Sequence, residues 1–150
     1  MKFSLDVKKF AEKTNRNVED VIAATSIDLF SRIIMQSPVD SGLLRGNWQP
    51  SLNSPIKSKI GAKDASGQGD ASIGKMTAVV NQFSGDGSIY LSNNLPYAYK
   101  IEYGLYPNPP KNPTGKTVNG FSTQAPKGMV RVSMRRVKSA MNRAIRNLPK

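Results

Sequence analysis

Apolar residues return at three- and four-residue steps along the first third of the chain. Val18, Ile22, Thr25, Leu29 and Ile33 form one line, and Ala23, Ile27, Phe30 and Ile34 widen it. That period is one face of an α-helix, so an amphipathic helix is predicted from Val18 to about Ser37. Asn17 suits its N-cap, and Glu19 and Asp20 place carboxylates against the positive helix end. Pro38 stops it, because the residue before a proline avoids helical geometry. Ahead of it, residues 5–14 predict a short helix with Leu5, Phe10 and Ala11 inward, interrupted by Asn15-Arg16-Asn17.

The pattern then changes period. Val39-Asp40-Ser41-Gly42 reads as a turn, and Leu43 to Leu52, with Trp48 inside it, reads as a strand whose Pro50 belongs at a sheet edge. Residues 53–69 are rich in Ser, Lys, Gly and Asp and predict a loop. Ile73, Met76, Val80 and Phe83 fall at helical steps and predict a helix over 70–83. Gly85-Asp86-Gly87 is a turn, and Ser88 to Ser92 alternates as a half-buried strand does. Pro96 opens a short helix, Tyr97 to Tyr103, stopped by Gly104. Residues 105–124 hold Pro107, Pro109, Pro110, Pro113, Gly115 and Gly120 and predict a long loop. Pro126 starts a last helix, in which Val130, Met134, Val137, Met141, Ala144, Ile145 and Leu148 share one arc at about 100° per residue. Helices and short strands in this order make an α+β chain. With 150 residues and neither a repeat nor a composition break, one domain over 1–150 is expected.

Charge adds to this picture. The formal net charge is +12, from 22 basic and 10 acidic residues. Such a balance favours a nucleic acid, an anionic surface or an acidic protein as partner. The excess gathers at the end: eight basic residues and no acidic one lie between Lys127 and Lys150. On a helical wheel Arg131, Arg135, Lys138 and Arg146 lie on one flank of the apolar arc, with Arg136, Arg143 and Lys150 further round. Three readings stay open for this basic face. It keeps the chain in solution, it matches an acidic neighbouring subunit, or it faces the phosphates of DNA. No aromatic side chain on this helix offers a surface for stacking bases.

Composition also narrows the chemistry. Cysteine and histidine are both absent, which removes disulfides, thiolate nucleophiles and the commonest general base and metal ligand. Neither Gly67-Gln68-Gly69 nor Gly85-Asp86-Gly87 has the context of a phosphate-binding loop. Asp64, Asp70 and Asp86 lack the spacing of a calcium loop. Glu102 has no second carboxylate nearby in sequence, so a catalytic pair is not expected, and neither is a cofactor, a metal or a small-molecule substrate. Lys2, Asp6, Lys8 and Lys9 break the apolar stretch a signal peptide needs. No run approaches the roughly 20 apolar residues of a membrane span. The expectation is a soluble protein made in a cytoplasm, with no membrane contact.

Two smaller clusters leave alternatives open. Asp40 and Arg45 flank Gly42, either as a contact between subunits or as a local turn in which Asp40 accepts backbone N–H bonds and Gly42 supplies positive φ. Tyr97, Tyr99, Tyr103 and Tyr106 lie around Glu102 and Gly104, either as an interface or as the rim of a core.

Three segments resemble a known family. Ser37-Pro38-Val39-Asp40-Ser41-Gly42-Leu43-Leu44-Arg45-Gly46-Asn47-Trp48 follows the long helix and resembles the PVDTGxLRxSW signature of tail-completion and minor tail proteins of long-tailed bacteriophages, the lambda Z-like group. Asn94 to Gly104 resembles the family's xPYAxxxExG element, and Gln124 to Arg131 its xAPxGMVR start of the last helix. The three stand in the family's order, with a variable loop between the second and third, and with the pattern between them cover residues 17–148. Ser41 replaces the commoner Thr, and Asn47 the commoner Ser.

The resemblance implies a small antiparallel or mixed sheet flanked by a long N-terminal helix and a long basic C-terminal helix, with a Pro/Gly-rich loop. It implies a virion protein at the head-proximal end of the tail, assembled in the host cytoplasm. Such a protein completes the tail or joins it to the head through a homo-oligomeric ring, beside other tail and neck proteins and with possible non-specific contact with DNA in the tail lumen. The motif positions are Pro38, Asp40, Gly42, Arg45, Trp48, Tyr97, Glu102, Gly104, Pro126, Gly128 and Arg131. The residues for an anionic partner are Arg135, Arg136, Lys138, Arg143 and Arg146. Arg45, Glu102 and Arg131 are expected to make charge-assisted bonds, Glu102 with one of the two arginines. The 105–124 loop is expected to order on a neighbour during assembly. The alternative is a basic module that binds double-stranded DNA during packaging.

Overall fold

A computed structural model describes residue 9 and residues 17–148; apart from residue 9, the short helix expected over 5–14 lies outside the described residues. The fold is α+β. Helix α1, Val18–Gln36, is followed by a single helical turn α2, Leu43–Gly46, strand β1, Gln49–Leu52, and helix α3, Asp70–Val80. Strand β2, Ile89–Ser92, and helix α4, Pro96–Tyr103, come next. Then come a small hairpin of β3, Thr117–Val118, and β4, Phe121–Ser122, and two closing helices, α5, Val130–Met134, and α6, Val137–Asn147. No described helix is long and apolar enough to cross a membrane.

α1 is the axis of the fold. Asn17 caps it by accepting the Glu19 N–H at 3.0 Å, as its sequence position predicts. Leu29, Ile33 and Ile34 join Leu44, Trp48, Met76, Val80, Leu95, Ile101 and Met129 in the main core. A second cluster pairs Val21 with Met141, with Val18, Ile22, Ile145 and Leu148 around it. α1 thus packs α3 on one side and α5 and α6 on the other.

The sheet is antiparallel and two-stranded, pairing Gln49 with Ser92, Pro50 with Leu91 and Leu52 with Ile89. β1 is shorter than the strand expected over 43–52. Gly42, at φ +87°, turns the chain into α2 instead. Every residue from Leu44 to Pro50 is buried, so this segment has no exposed face and no strand alternation to keep.

The last helix also departs from expectation. It starts at Val130, not Pro126, because Gly128 at φ +83° lies in a left-handed conformation that no α-helix passes through. It then breaks between Met134 and Val137. The Ser133 hydroxyl donates to the Met129 carbonyl at 2.6 Å, a back-bond that bends helices. The Arg136 N–H closes a three-residue turn onto the Ser133 carbonyl. The expected apolar arc still faces inward: Met141 and Ala144 are buried, and Val130, Met134 and Val137 pack on the main core.

Candidate functional site

The three motif segments lie far apart in sequence and meet in space. The first joins the third through Val39 and Gln124. The Val39 N–H donates to Gln124 Oε1 at 2.8 Å, and Gln124 Nε2 donates to the Val39 carbonyl at 3.1 Å, so one amide side chain pairs with extended backbone as a strand would. The second joins the third through Glu102. Its carboxylate accepts from the N–H groups of Met129, Val130 and Arg131 at 2.7, 2.8 and 2.9 Å. These are N–H groups that the start of α5 leaves without helical partners.

Arg131 closes the junction. Its Nε donates to Glu102 Oε1 at 3.2 Å and its Nη2 to the Glu102 carbonyl at 2.7 Å. Of the two arginines open to Glu102, it is Arg131 that pairs. Burial pushes the Glu102 carboxyl upward, and the three N–H bonds and the guanidinium outweigh that and hold it below the ordinary glutamate value. Gly128 is part of the arrangement. A Cβ there would stand 2.6 Å from the Glu102 carbonyl oxygen.

Arg45 makes charge-assisted bonds, and it makes them to the backbone. It is 5% exposed, and its donors go to carbonyl oxygens: Nε to Ile34 at 3.2 Å and Nη1 to Ser66 at 2.7 Å. Ile34 lies in the last turn of α1, where carbonyls lack helical partners and the dipole favours a cation. Trp48 secures the same helix end. Its indole N–H donates at 2.7 Å to Ser37 Oγ, which itself donates to the Ile33 carbonyl. Both side chains belong to the core and are not presented to a partner.

A cleft of about 650 Å³ opens between the first motif and the long loop. Pro38 to Leu44, Tyr97 and Ile101 of α4, Tyr106, Pro107, Pro110 and Lys111 line it, together with Lys116 and Ser122 to Gln124. Burial, then the neighbouring Tyr106 and Asp40, raise the Tyr97 hydroxyl above the ordinary tyrosine value. Asp40 is exposed at the turn, with no side-chain hydrogen bond among the described residues. The backbone bonds expected of it are absent there; Ser41 Oγ accepts the Leu43 N–H at 3.3 Å instead.

The tyrosine cluster divides. Tyr97 and Tyr106 pack against the core. Tyr99 and Tyr103 are 64% and 44% exposed, with ring centroids 4.6 Å apart. The 105–124 segment is not wholly irregular. Its β3–β4 hairpin turns through Asn119 at φ +54° and Gly120 at φ +85°, the two positive angles of a type I′ turn. Its Phe121 ring lies against Gly104.

Of the basic residues expected to face a partner, Arg135, Arg136, Lys138 and Arg146 are exposed. Arg143 is drawn inward. Its Nε and Nη2 donate to Asp28 of α1 at 2.9 and 3.0 Å, and Arg32 shares that carboxylate at 3.0 Å. Burial raises the Asp28 carboxyl, and Arg143 and Arg32 together carry it below its ordinary value.

Asp64, which the sequence placed in an undistinguished loop, is a further anchor. It is 4% exposed and accepts the Ser72 N–H in the first turn of α3 at 2.8 Å. It also accepts the Ser66 N–H and hydroxyl. Burial raises its carboxyl, but these donors bring it down to about 2. Among the described residues, no group of three or more His, Cys, Asp or Glu side chains is placed to hold a metal ion. Comparison with protein-family models, with curated proteins and with solved structures found no match to this chain.

Proposed function

We propose that the chain is a non-catalytic structural protein of a long-tailed phage virion, which completes the tail at its head-proximal end, joins it to the head, or does both, through ring-type assembly. The observation that carries this reading is the convergence of the three family-like segments. They are fastened by the Val39–Gln124 pair and by the Glu102 cap on α5, and residues from each of them and from the 106–117 segment line one cleft. Segments that resemble one family's signature form, in this chain, one mechanical unit. That unit sets the long loop against the rest of the fold. A ring subunit requires complementary surfaces and a segment that can dock, and the 106–117 segment that lines the cleft supports the second requirement.

The second reading, a module that binds duplex DNA, draws on the exposed Arg135, Arg136, Lys138 and Arg146. The two readings separate by electron microscopy of tails assembled with and without the chain. Normal-length tails that fail to join heads are the expected result of omission. Overlong tails would move the role to termination of tail growth. Tails and heads that join normally without the chain would overturn the assembly reading.

A further inference from the structure

α4 and α5 present a surface that the fold does not use. Tyr99 and Tyr103 lie side by side on the outer face of α4, their rings tilted by 43°, and are 64% and 44% exposed. The Arg131 guanidinium lies 4.4 Å from the centre of the Tyr103 ring, a cation–π distance. Two hydrogen bonds from Arg131 to Glu102 hold it there. Of the five N–H donors of a guanidinium, those on Nη1 and one on Nη2 are left over. Half of the Arg131 side chain is solvent-accessible, at 51%. Arg135 is exposed one helical turn on, and Leu105, past the stop at Gly104, is 52% exposed.

We infer that Tyr99, Tyr103 and Arg131 form a docking spot for an acidic protein surface, one that sets a carboxylate on the free edge of Arg131 and an apolar or aromatic side chain over Tyr99. Three observations select this occupant. Tyrosine and arginine dominate the tightest contacts of protein interfaces, and here their geometry is fixed before binding, which lowers the ordering cost. Beyond the buried Glu102 carboxylate, the exposed charged residues between Lys127 and Arg146 are all basic. A second copy is a poor match, because two chains at +12 repel one another. DNA is a poorer match, because Arg131 already covers the Tyr103 ring and a polar, wet interface gains nothing from Tyr99 and Leu105. The inference deepens the assembly reading and rests on it for the identity of the neighbour, but not for the chemistry of the spot.

The test uses the full chain and a fluorescent peptide of alternating glutamate and phenylalanine at physiological salt. Duplex DNA of random sequence serves as the competing probe. Binding is read by anisotropy and by the NMR signals of the Tyr99 and Tyr103 rings and of Arg131 Nε–H. Peptide binding should move all three signals. Tyr99→Ser should weaken it roughly tenfold, and Tyr99→Phe should restore it. Lys138→Gln with Arg146→Gln, which removes two charges from α6, should weaken it less than Tyr99→Ser does. The inference is overturned if the double variant matches or exceeds Tyr99→Ser, if the three signals stay still, or if DNA moves them and the peptide does not. A chain that binds the peptide through Tyr99 yet is absent from virions would retain the spot and lose the assembly reading. A virion protein whose spot is inert would do the reverse.

Discussion

Glu102 sets one carboxylate against three backbone N–H groups and a guanidinium, in a position only 7% exposed. Removing it leaves those donors buried without an acceptor, which costs about 2 kcal/mol or more. Glu102→Ala is therefore expected to lower the unfolding free energy from urea titration by that amount, while Arg131→Ala costs less because its side chain is half exposed. The pH dependence follows from the same contacts. Glu102 lies below its ordinary 4.5 and Asp64 is brought from 3.8 down to about 2. A carboxyl held low in the folded state stabilises fully above its unfolded value and loses that stabilisation as pH falls through its folded value. Native stability should fall on acidification below 4.5 and go on falling toward 2. The double variant Glu102→Gln, Asp64→Asn should be weaker at neutral pH and much flatter across that window. Denaturant titrations across the pH range check both. Gly42 supplies a third test at this scale. It sits at φ +87°, and a Cβ there would stand 2.6 Å from the Asp64 carbonyl carbon, so Gly42→Ala should cost well over about 1 kcal/mol by thermal melting.

At the scale of elements, α1 holds the other helices by two different means. Its apolar side is buried against α3, and Leu29→Ala at 4% exposure should cost about 3 kcal/mol. Its Asp28 holds α6 through Arg143, a pair open enough to water that Asp28→Asn should cost under about 1 kcal/mol, with the difference vanishing at high salt. Denaturant melts at low and high ionic strength separate the two effects.

Much of this was legible in the sequence, and the reasons differ by element. The caps and periodicity of α1, and the proline-to-glycine span of α4, are local signals, and they match Val18–Gln36 and Pro96–Tyr103. Asn119-Gly120 was also a readable hairpin signal, obscured by the prolines before it. The break of the last helix was not readable from periodicity, since the apolar arc runs through it unchanged. Gly128 alone marked the later start. The roles of Arg45 and Asp64 depend on partners brought together by folding: the Ile34 carbonyl lies 11 residues from Arg45, and the Ser72 N–H lies 8 residues from Asp64. Neither distance follows from residue type. The Glu102–Arg131 pair spans 29 residues, and only the family resemblance pointed to it.

For the whole molecule, charge governs association. Copies at +12 repel one another at low ionic strength. On the assembly reading the free chain therefore stays monomeric, and rings form only where an acidic neighbour offsets the repulsion. Light scattering at low ionic strength should find the monomer over a range of concentrations. The same charge excess gives weak, salt-sensitive adsorption to any polyanion. DNA binding that survives physiological salt would therefore strengthen the packaging reading over the assembly one.

The most direct measurement is localisation of the chain in mature virions, by mass spectrometry of purified particles joined to labelling of the chain in electron micrographs. The account expects it in every particle, confined to the junction of tail and head. Infectious particles that lack the chain altogether would contradict it.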